Sequence, residues 1–293
     1  MIEVSAVIVT YNSHDEIGAC LESFALHTSR DTCEVVVVDN CSTDGTAEFV
    51  ETSFPWVRVV RSAKNAGLSA GFNAGVAASS GEYVAFINPD VRFEADVLSP
   101  LAAYLRTHRD VGVVAPKLLN DDGSLQLSCR TFPGYSTAMF NRYSLLTRLI
   151  PGNRWSRDYL MSDFDHASIR DVDWVSGAAL KFPRRDFDQL GGWDAGFFLF
   201  NEDVDFCRRV HDAGYRVVYD PDVFVHHTIG VSKAASARMI IERHRSIWRY
   251  YRKHLRRNPA IDAATAAGIA ARCGALLVAG AVRRATSRAR RRA

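Results

Sequence analysis

The stretch "CEVVVVDNCSTDGTAEFVET", residues 33–52, carries the pattern that decides the fold. Its four consecutive valines predict a strand buried on both faces, and the polar turn after them leads into a helix-like segment at about 44–53. The same order recurs along the first 120 residues. Further apolar, β-branched runs lie at 5–12, 57–62, 83–90 and 111–118, and further helix-like segments at 14–27, 68–79 and 94–108. Strands and helices in alternation predict an α/β fold with a mostly parallel central sheet flanked by helices.

The composition is that of an ordinary globular protein. The chain has 293 residues, 47% of them hydrophobic and 24% charged, so it can bury a sizeable core in one large domain or two small ones. Its six cysteines are scattered and include no C-x-x-C pair, which argues against a zinc site or a disulfide framework and favours a reducing compartment. The first residues, "MIEVSAVIVTYN", lack a basic segment and a long apolar run, so we expect no secretion signal there.

The second half of the chain is less regular. Residues 120–170 are rich in Arg, aromatic residues, Gly and Pro, and we expect a long excursion of the kind that forms lids or substrate sites. Regular structure is predicted to return at 172–184, 202–214 and 215–221, followed by a basic helix at about 233–257 and an Ala-rich segment at 261–282. We therefore expect one domain over 1–232, with halves 1–120 and 121–232, and a basic, partly amphipathic helical C-terminal extension over 233–293.

The net charge of +3 conceals an uneven distribution. Residues 238–293 contain 15 Arg and Lys but two acidic residues, whereas the rest of the chain contains 21 basic and 31 acidic residues. A basic extension on an acidic body predicts an anionic partner surface, either nucleic acid or phospholipid. We expect no nucleic-acid partner, because no base-reading module is visible in the sequence.

Three predicted strands end in polar residues. These ends are Thr10-Tyr11-Asn12, Asp39-Asn40 and Asn88-Pro89-Asp90. Each alone is explained by an ordinary turn. Ligands of open α/β sheets, however, bind outside the carboxyl ends of the strands, so three such ends in one sheet predict a shared cleft.

The glycines of "NAGLSAGFNAG", residues 65–75, recur every four residues, which is typical of a helix packed closely on a sheet. The spacing does not match the G-x-G-x-x-G fingerprint that directly follows a strand, which argues against a dinucleotide-dependent reductase. Asn65 and Asn73 lie in this segment, beside a predicted helix N-terminus that would favour an anionic ligand.

Two further segments carry candidate chemistry. "FFLFNEDVDFCRR", 197–209, places Glu202, Asp203 and Asp205 at a predicted helix start, where acidic residues also serve as caps. Aromatic residues before them would desolvate a carboxylate and raise its pKa, which suits a general base. "VFVHHTIGVS", 223–232, places two histidines after a strand. Neutral imidazole binds divalent metals together with carboxylates, and Asp90 is a candidate partner if the strand ends converge.

Seven short motifs, in this order, resemble those of a family 2 glycosyltransferase, above all its bacterial rhamnosyltransferase-like branch. They are "VIVTYN", "VVVDNCSTDGT", "NAGLSAGFNAG", "FINPD", "WVSGA", "FFLFNEDVDFCRR" and "HTIGVS", and together they span about residues 1–232. The resemblance implies a GT-A nucleotide-diphospho-sugar transferase fold and inversion at the anomeric carbon.

The resemblance also implies the residues that bind the donor. Thr10, Tyr11 and Asn12 would line the nucleotide pocket, and Asp39 would accept a hydrogen bond from the N3–H of uracil or thymine. The two asparagines at 65 and 73 would lie near the ribose, the diphosphate or the sugar.

The "NPD" motif would occupy the position of the family's D-x-D motif. Asp90 would bind Mg²⁺ or Mn²⁺, with His227 as the second ligand and His226 as the alternative. Asn88 replaces the first acid of the motif, where its amide can bond the ribose or a metal-bound water.

The acceptor side follows from the same resemblance. Asp203 would deprotonate the acceptor hydroxyl, with Glu202 as the second candidate for this role. Trp174 would stack on sugars, and so would Phe198, which lies within the aromatic patch 197–200. Gly177 would leave room for the acceptor.

The resemblance favours transfer of L-rhamnose from dTDP-rhamnose to a lipid-linked saccharide of the GlcNAc-diphosphoprenol type, in cell-wall or polysaccharide assembly. Transfer of galactofuranose or another hexose from a UDP-sugar is the alternative. A non-catalytic nucleotide-binding partner of a membrane assembly is a third possibility, which the presence of Asp90, Asp203 and His227 disfavours.

Residues 261–282 are apolar except for Asp262, Arg272 and a few Thr, Cys and Gly. We expect an interfacial helix on anionic lipid rather than a spanning helix, because Arg272 lies near the middle of the segment. The protein is then expected to be cytoplasmic and peripheral to the inner face of a bacterial plasma membrane. A partly disordered, solvated basic segment is the alternative.

Overall fold

A computed structural model describes residues 2–134, 153–228 and 236–292, with side chains up to residue 282. The first half forms β1 (Val4–Thr10), α1 (His14–His27), β2 (Cys33–Asp39), α2 (Thr46–Ser53), β3 (Arg58–Arg61), α3 (Leu68–Ala77), β4 (Tyr83–Ile87), β5 (Val91–Arg92), α4 (Leu98–Thr107) and β6 (Val111–Leu119). The second half forms β7 (Leu125–Gln126), β8 (Cys129–Arg130), α5 (Arg154–Leu160), β9 (Arg170–Val172), β10 (Trp174–Val175), β11 (Ala179–Pro183), α6 (Arg184–Gln189), α7 (Glu202–Asp212), β12 (Arg216–His227), α8 (Ala237–Tyr250), a π-helical turn (Tyr251–Leu255) and α9 (Pro259–Arg292). Part of the predicted excursion, 135–152, lies outside the described residues.

The main sheet has the strand order β3-β2-β1-β4-β11-β6-β12-β5, with β7 added on β6 and β9 on β12. The first four strands of this order run parallel to one another, and β6 runs parallel to β12. Strand β11 lies antiparallel between β4 and β6. The four valines of β2 are buried, because helices cover both faces of the sheet. The prediction of an α/β fold with a mostly parallel sheet is confirmed.

The glycines of α3 let that helix approach the sheet closely. A Cβ at Gly75 would lie 2.3 Å from Val7 Cγ1, and one at Gly71 would lie 2.9 Å from Val9 Cγ1. Neither position has room for a side chain, so the spacing predicted from the sequence serves helix–sheet packing.

The basic helix α8 and the turn after it pack onto the domain through ion pairs. The fully buried carboxylate of Asp205 contacts Arg209 at 2.9 Å, and Lys253 and His254 at 2.7 Å each. Burial alone raises the pKa of Asp205, but hydrogen bonds from His254 and Lys253 outweigh it and hold that pKa below its usual range. Part of the extension's positive charge is therefore neutralised by the domain itself.

We expect Asp205→Ala to lower the free energy of unfolding at pH 7 by about 3 kcal/mol, because it leaves partly buried cations without their anion. The pKa is lowered in the folded state, so this stabilisation is present above the unfolded-state pKa and is lost as the pH falls through the folded-state value. Urea denaturation measures the effect. Asp212→Ala, on the exposed side of the same helix, is the control. A loss no larger than that of the control would contradict the role given to Asp205.

Helix α9 has an apolar surface that the domain leaves exposed. Its Pro259–Val282 segment is long and apolar enough to cross a membrane by length and composition, and none of its apolar window is buried. Asp262 ties its first turn to the preceding π-helical turn, accepting hydrogen bonds from Tyr251 Oη at 2.8 Å and from Arg256 Nε at 2.9 Å.

Candidate active site

The ends of β1 and β2 place a carboxylate at the edge of the sheet. Thr10 Oγ1 donates to Asp39 Oδ1 at 3.3 Å, and the main-chain N–H of Ser42 donates to Asp39 Oδ2 at 3.0 Å. Thr10 and Asp39 are both buried. The structure therefore brings the predicted base-binding carboxylate and Thr10 together, and it fixes the orientation of the carboxylate.

The loop after β1 is tied to the loop after β2. Asn12 has a left-handed backbone (φ 54°), and its Oδ1 accepts a hydrogen bond from the Thr43 N–H at 2.8 Å. Its own N–H donates to Ser42 Oγ at 2.9 Å. Tyr11, next to it, is 46% exposed, so its ring is accessible at the rim of the predicted pocket.

Asn40 organises the loop before α3, a role that we did not predict. Its Nδ2 donates to Asn65 Oδ1 at 3.1 Å and to the Gly67 carbonyl at 3.0 Å, and its Oδ1 accepts from the Ala66 N–H at 3.2 Å. Asn65 Oδ1 also accepts from the Gly67 N–H at 3.0 Å. The oxygen of the Asn65 side chain is thus used within this loop, and the predicted position of Asn65 near the donor stays a prediction.

Asn73 holds the main chain of Trp193. Its Nδ2 donates to the Trp193 carbonyl at 2.7 Å, and its Oδ1 accepts from the Trp193 N–H at 3.0 Å. Both ends of the amide are used within the fold, which disfavours the predicted contact between Asn73 and the donor.

Asp90 and His227 meet where β5 pairs with the end of β12. Strand β5 pairs with the end of β12, so that Val91 lies opposite His227 and Asp90 lies beside the imidazole. His227 Nε2 is 3.3 Å from Asp90 Oδ1 and 3.4 Å from Asn88 Nδ2. The asparagine that replaces an acid in "NPD" therefore faces the predicted metal-binding histidine.

The pair fits a divalent cation. Two ligands at right angles in an octahedral site of about 2.1 Å radius lie about 3.0 Å apart, close to the spacing of these two atoms. Asp90 Oδ1 is buried and accepts no hydrogen bond from the part of the chain that the structure describes. Among the same residues no group of three or more His, Cys, Asp or Glu side chains forms a metal cage. The other ligands would come from diphosphate and water, as is usual for Mg²⁺.

His226 points away from this site, because neighbouring residues of a strand face opposite sides. Its Nε2 lies 3.0 Å from Glu94 Oε1, and its Nδ1 lies 3.2 Å from the Asn120 carbonyl. The geometry favours His227 over His226 as the ligand. Residues 229–232 of the "HTIGVS" motif lie outside the described part of the chain.

Asp203 is held at the start of α7. The Gly177 N–H donates to its Oδ2, and the Val204 N–H to its Oδ1, at 2.8 Å each. Burial raises the pKa of Asp203, and these two hydrogen bonds offset only part of that effect. The result is a fixed carboxylate of increased proton affinity, as a general base requires.

Glu202 lies deeper than its neighbour. Its side chain is buried, and its Oε2 accepts no hydrogen bond within the described ranges 2–134, 153–228 and 236–282. Burial, and after it the charge of Asp203, raises the pKa of Glu202 well above the usual value. This acid is less suited than Asp203 to accept a proton from a substrate at the surface.

The loop between β10 and β11 links the two halves of the site. The Asn88 N–H donates to the Ala178 carbonyl at 2.8 Å, and the neighbouring Gly177 holds Asp203. Asn88 also faces His227, so one short main-chain segment connects the metal-ligand pair to the carboxylate on α7.

Comparison with known proteins identifies the family. The model of "Glycosyl transferase family 2" matches residues 5–164, and that of "Glycosyl transferase family group 2" matches residues 125–257. The chain is also 31% identical over 232 residues to the N-acetylglucosaminyl-diphospho-decaprenol L-rhamnosyltransferase of Mycobacterium tuberculosis, covering 75% of this chain and 74% of that one. The chain belongs to glycosyltransferase family 2. Its similarity to that enzyme confirms the rhamnosyltransferase-like branch.

Solved structures confirm the GT-A fold of this glycosyltransferase. GalNAc-T7, solved with UDP, GalNAc and Mn²⁺, matches with a TM-score of 0.62 and 15% identity, covering 85% of this chain and 48% of that one. The mannosyltransferase PcManGT of Pyrobaculum calidifontis, solved with GDP-Man and Mn²⁺, matches with a TM-score of 0.58 and 21% identity, covering 96% and 79%. Identities this low establish the fold alone.

The structure disfavours the stacking role that was predicted for Trp174 in this glycosyltransferase. The side chain is only 7% exposed, and its Nε1 donates to the Thr131 carbonyl at 2.8 Å. The guanidinium of Arg130 lies over the ring, 5.3 Å from its centre. Packing and a cation–π contact therefore occupy the ring that was expected to meet a sugar.

The aromatic patch of residues 197–200 is only partly accessible. Phe197 is fully buried. Phe198 and Phe200 are half-buried, and Arg238 and Arg243 of α8 lie over their rings at 4.9 and 4.4 Å. The sugar contact of Phe198 stays a prediction, because it requires the rim of the ring or movement of Arg238.

Gly177 acts through its main chain. A Cβ there would meet the Asp203 carboxylate at 3.4 Å, an ordinary contact, so the space beside Asp203 does not depend on glycine. The role that the structure assigns to Gly177 is the hydrogen bond to Asp203, and room for the acceptor stays a prediction.

Proposed function

We propose that this glycosyltransferase moves L-rhamnose from dTDP-rhamnose to a lipid-linked saccharide of the GlcNAc-diphosphoprenol type, with inversion at the anomeric carbon, in cell-wall or polysaccharide assembly. The similarity to the mycobacterial rhamnosyltransferase over three quarters of each chain supports this choice of donor and acceptor. The observation that carries the reaction type is the carboxylate of Asp203, fixed by two main-chain N–H groups and raised in pKa by burial.

The reaction is a single displacement. The acceptor hydroxyl oxygen bonds to the anomeric carbon, the bond from that carbon to the diphosphate oxygen breaks, and the hydroxyl proton passes to Asp203. One carboxylate suffices, since the leaving group is a nucleoside diphosphate that needs no protonation. A bound Mg²⁺ or Mn²⁺, held by Asp90 and His227, would neutralise the charge that develops on the diphosphate.

Asp39 would select the base. An ionised carboxylate accepts a hydrogen bond from the N3–H of thymine or uracil, whereas N3 of cytosine is itself an acceptor. Thr10 and Ser42 hold Asp39 in place for this contact. The base contact does not separate dTDP- from UDP-sugars, so galactofuranosyl or other hexosyl transfer from a UDP-sugar is the second candidate.

A donor panel tests the proposal. The full-length protein is incubated with Mg²⁺ or Mn²⁺, a GlcNAc-diphosphoprenol acceptor, and dTDP-rhamnose, UDP-galactofuranose or another UDP-hexose. We expect turnover with dTDP-rhamnose, and inhibition by dTDP and UDP but not by CDP. Turnover with a UDP-sugar alone would rule out rhamnose, and inhibition by CDP equal to that by dTDP would rule out the role of Asp39.

We further propose that the protein binds the inner face of a bacterial plasma membrane through α9. An uncovered apolar helix followed by six arginines in residues 283–292 supports an interfacial location on anionic lipid. The full-length protein is expected to sediment with phosphatidylglycerol vesicles at low salt and to be released by salt or alkaline carbonate. Failure to bind anionic vesicles would contradict the proposal, and resistance to carbonate would indicate a spanning helix instead.

A further inference from the structure

Gln126 contacts the imidazole of His227 on the side away from Asp90. Its Oε1 lies 2.9 Å from His227 Nδ1, and it belongs to β7, on the short hairpin that follows β6. None of the seven motifs behind the family resemblance includes Gln126.

The surroundings fix which end of the amide faces the histidine. Gln126 Nε2 lies 2.8 Å from Asn120 Oδ1, 2.5 Å from the His227 carbonyl and 3.4 Å from the Leu119 carbonyl. All three partners are acceptors, and an amide nitrogen can only donate. The opposite orientation would place an oxygen against three oxygens. Oε1 therefore faces His227.

The orientation of Asn120 is fixed in the same way. Its Nδ2 lies 3.3 Å from the Ser124 carbonyl, which can only accept, and 2.8 Å from Ser124 Oγ, whose proton goes to Asp122, so its Oδ1 accepts from Gln126. The Asn120 N–H also donates to the Ser124 carbonyl at 2.8 Å and closes the hairpin turn. The hairpin turn therefore fixes the amide of Asn120, Asn120 fixes the amide of Gln126, and Gln126 presents its oxygen to the imidazole of His227.

A carbonyl-type oxygen at 2.9 Å requires a proton on His227 Nδ1. In the neutral imidazole the lone pair then lies on Nε2. Asn88 Nδ2, 3.4 Å from Nε2, is a donor that suits this lone pair. Asp90 Oδ1, 3.3 Å from Nε2, carries lone pairs as well, so the two atoms face each other as two ligands of one cation would.

We propose that Gln126 is a positioning residue that holds His227 in the Nδ1–H tautomer and so presents the Nε2 lone pair to the cation shared with Asp90. The inference rests on the metal site of the proposed function and extends it to a residue outside the ligand set. When a metal-binding histidine donates its other ring N–H to an acceptor, that hydrogen bond fixes the orientation of the ring and increases the basicity of the ligating nitrogen. Loss of the acceptor costs about 10–100-fold in metal affinity.

Two variants separate the acceptor from mere packing. Gln126→Leu removes the acceptor at similar size, and Gln126→Met removes it with an unbranched chain of similar length. Leu125→Ala changes the exposed neighbour in the same strand and serves as the matched control. Two quantities are measured on the full-length protein. They are the ring ¹⁵N shifts of His227 without metal, assigned with His227→Gln, and the binding of Mn²⁺ with dTDP by electron paramagnetic resonance.

We expect the wild-type ring to carry its proton on Nδ1, and Gln126→Leu to move it to Nε2, facing Asp90. Mn²⁺ affinity should fall about 10–100-fold in Gln126→Leu and in Gln126→Met, and stay within about threefold of wild type in Leu125→Ala. An Nε2–H wild-type tautomer, or wild-type affinity in folded Gln126→Leu, would overturn the proposal. If Gln126→Leu does not fold, the wild-type tautomer and the affinity of Gln126→Met decide. Absence of Mn²⁺ binding in the wild-type protein would instead contradict the proposed function, and with it the metal-binding role of Gln126.

Discussion

Asp203→Asn is expected to slow sugar transfer strongly while the donor nucleotide still binds. The amide keeps the shape of the side chain, and its oxygen can still accept from one of the two main-chain N–H groups, but it cannot take up the proton of the acceptor hydroxyl. General-base catalysis contributes about 10²–10⁴-fold, and we expect a loss of kcat in that range. Steady-state transfer and dTDP binding by calorimetry measure the two effects separately.

The pH dependence gives an independent test of Asp203. Because burial raises its pKa, the acid form persists to a higher pH than in an ordinary aspartate, and the acid form cannot act as a base. We therefore expect kcat to fall as the pH decreases, with a midpoint above the usual aspartate range, and this limb to disappear from the residual activity of Asp203→Asn. Asp212→Asn, exposed at the other end of the same helix, is the control. Transfer retained by Asp203→Asn would show that another group is the base.

His227→Ala is expected to remove the metal dependence of donor binding. His227 and Asp90 present two ligand atoms 3.3 Å apart, and the described part of the chain offers no third acid, cysteine or histidine for the same cation. Loss of either ligand should weaken Mn²⁺-dependent dTDP binding at least about tenfold, since even removal of outer partners of a metal ligand costs that much.

His226→Ala is the matched control for this prediction. The two histidines are adjacent in β12, but His226 contacts Glu94 and the Asn120 carbonyl on the other face. Titration of dTDP with and without Mn²⁺ is expected to leave His226→Ala close to wild type and to reproduce the His227→Ala defect in Asp90→Asn. The reverse pattern, with His226→Ala defective and His227→Ala normal, would exchange the roles of the two histidines.

The first half of the fold was predictable because its signals are local. Apolar runs such as Val35–Val38 are closed by polar turns, and each adjacent helix has a matching length. The antiparallel insertion of β11 between β4 and β6 was not predictable, since strand direction depends on partners far away in the chain.

Charge and aromatic patterns were less informative about the site. The positive charge of residues 238–293 indicated an anionic partner surface, yet Lys253 and His254 contact Asp205 within the domain. An aromatic residue such as Trp174 is suited to a buried core and to a sugar-binding surface alike. Only its packing in the folded protein shows which of the two it occupies, and Trp174 is buried. Gln126 lies 101 residues from His227 in the chain, and no local pattern marks that contact.

A crystal structure of the full-length protein with dTDP and Mn²⁺ tests the proposed active site most directly. We predict an anomalous Mn²⁺ peak coordinated by Asp90 and by Nε2 of His227, with the diphosphate on the same ion and the thymine N3–H donating to Asp39. An ion bound away from Asp90 and His227, or a nucleotide at another edge of the sheet, would contradict the assignment of this site.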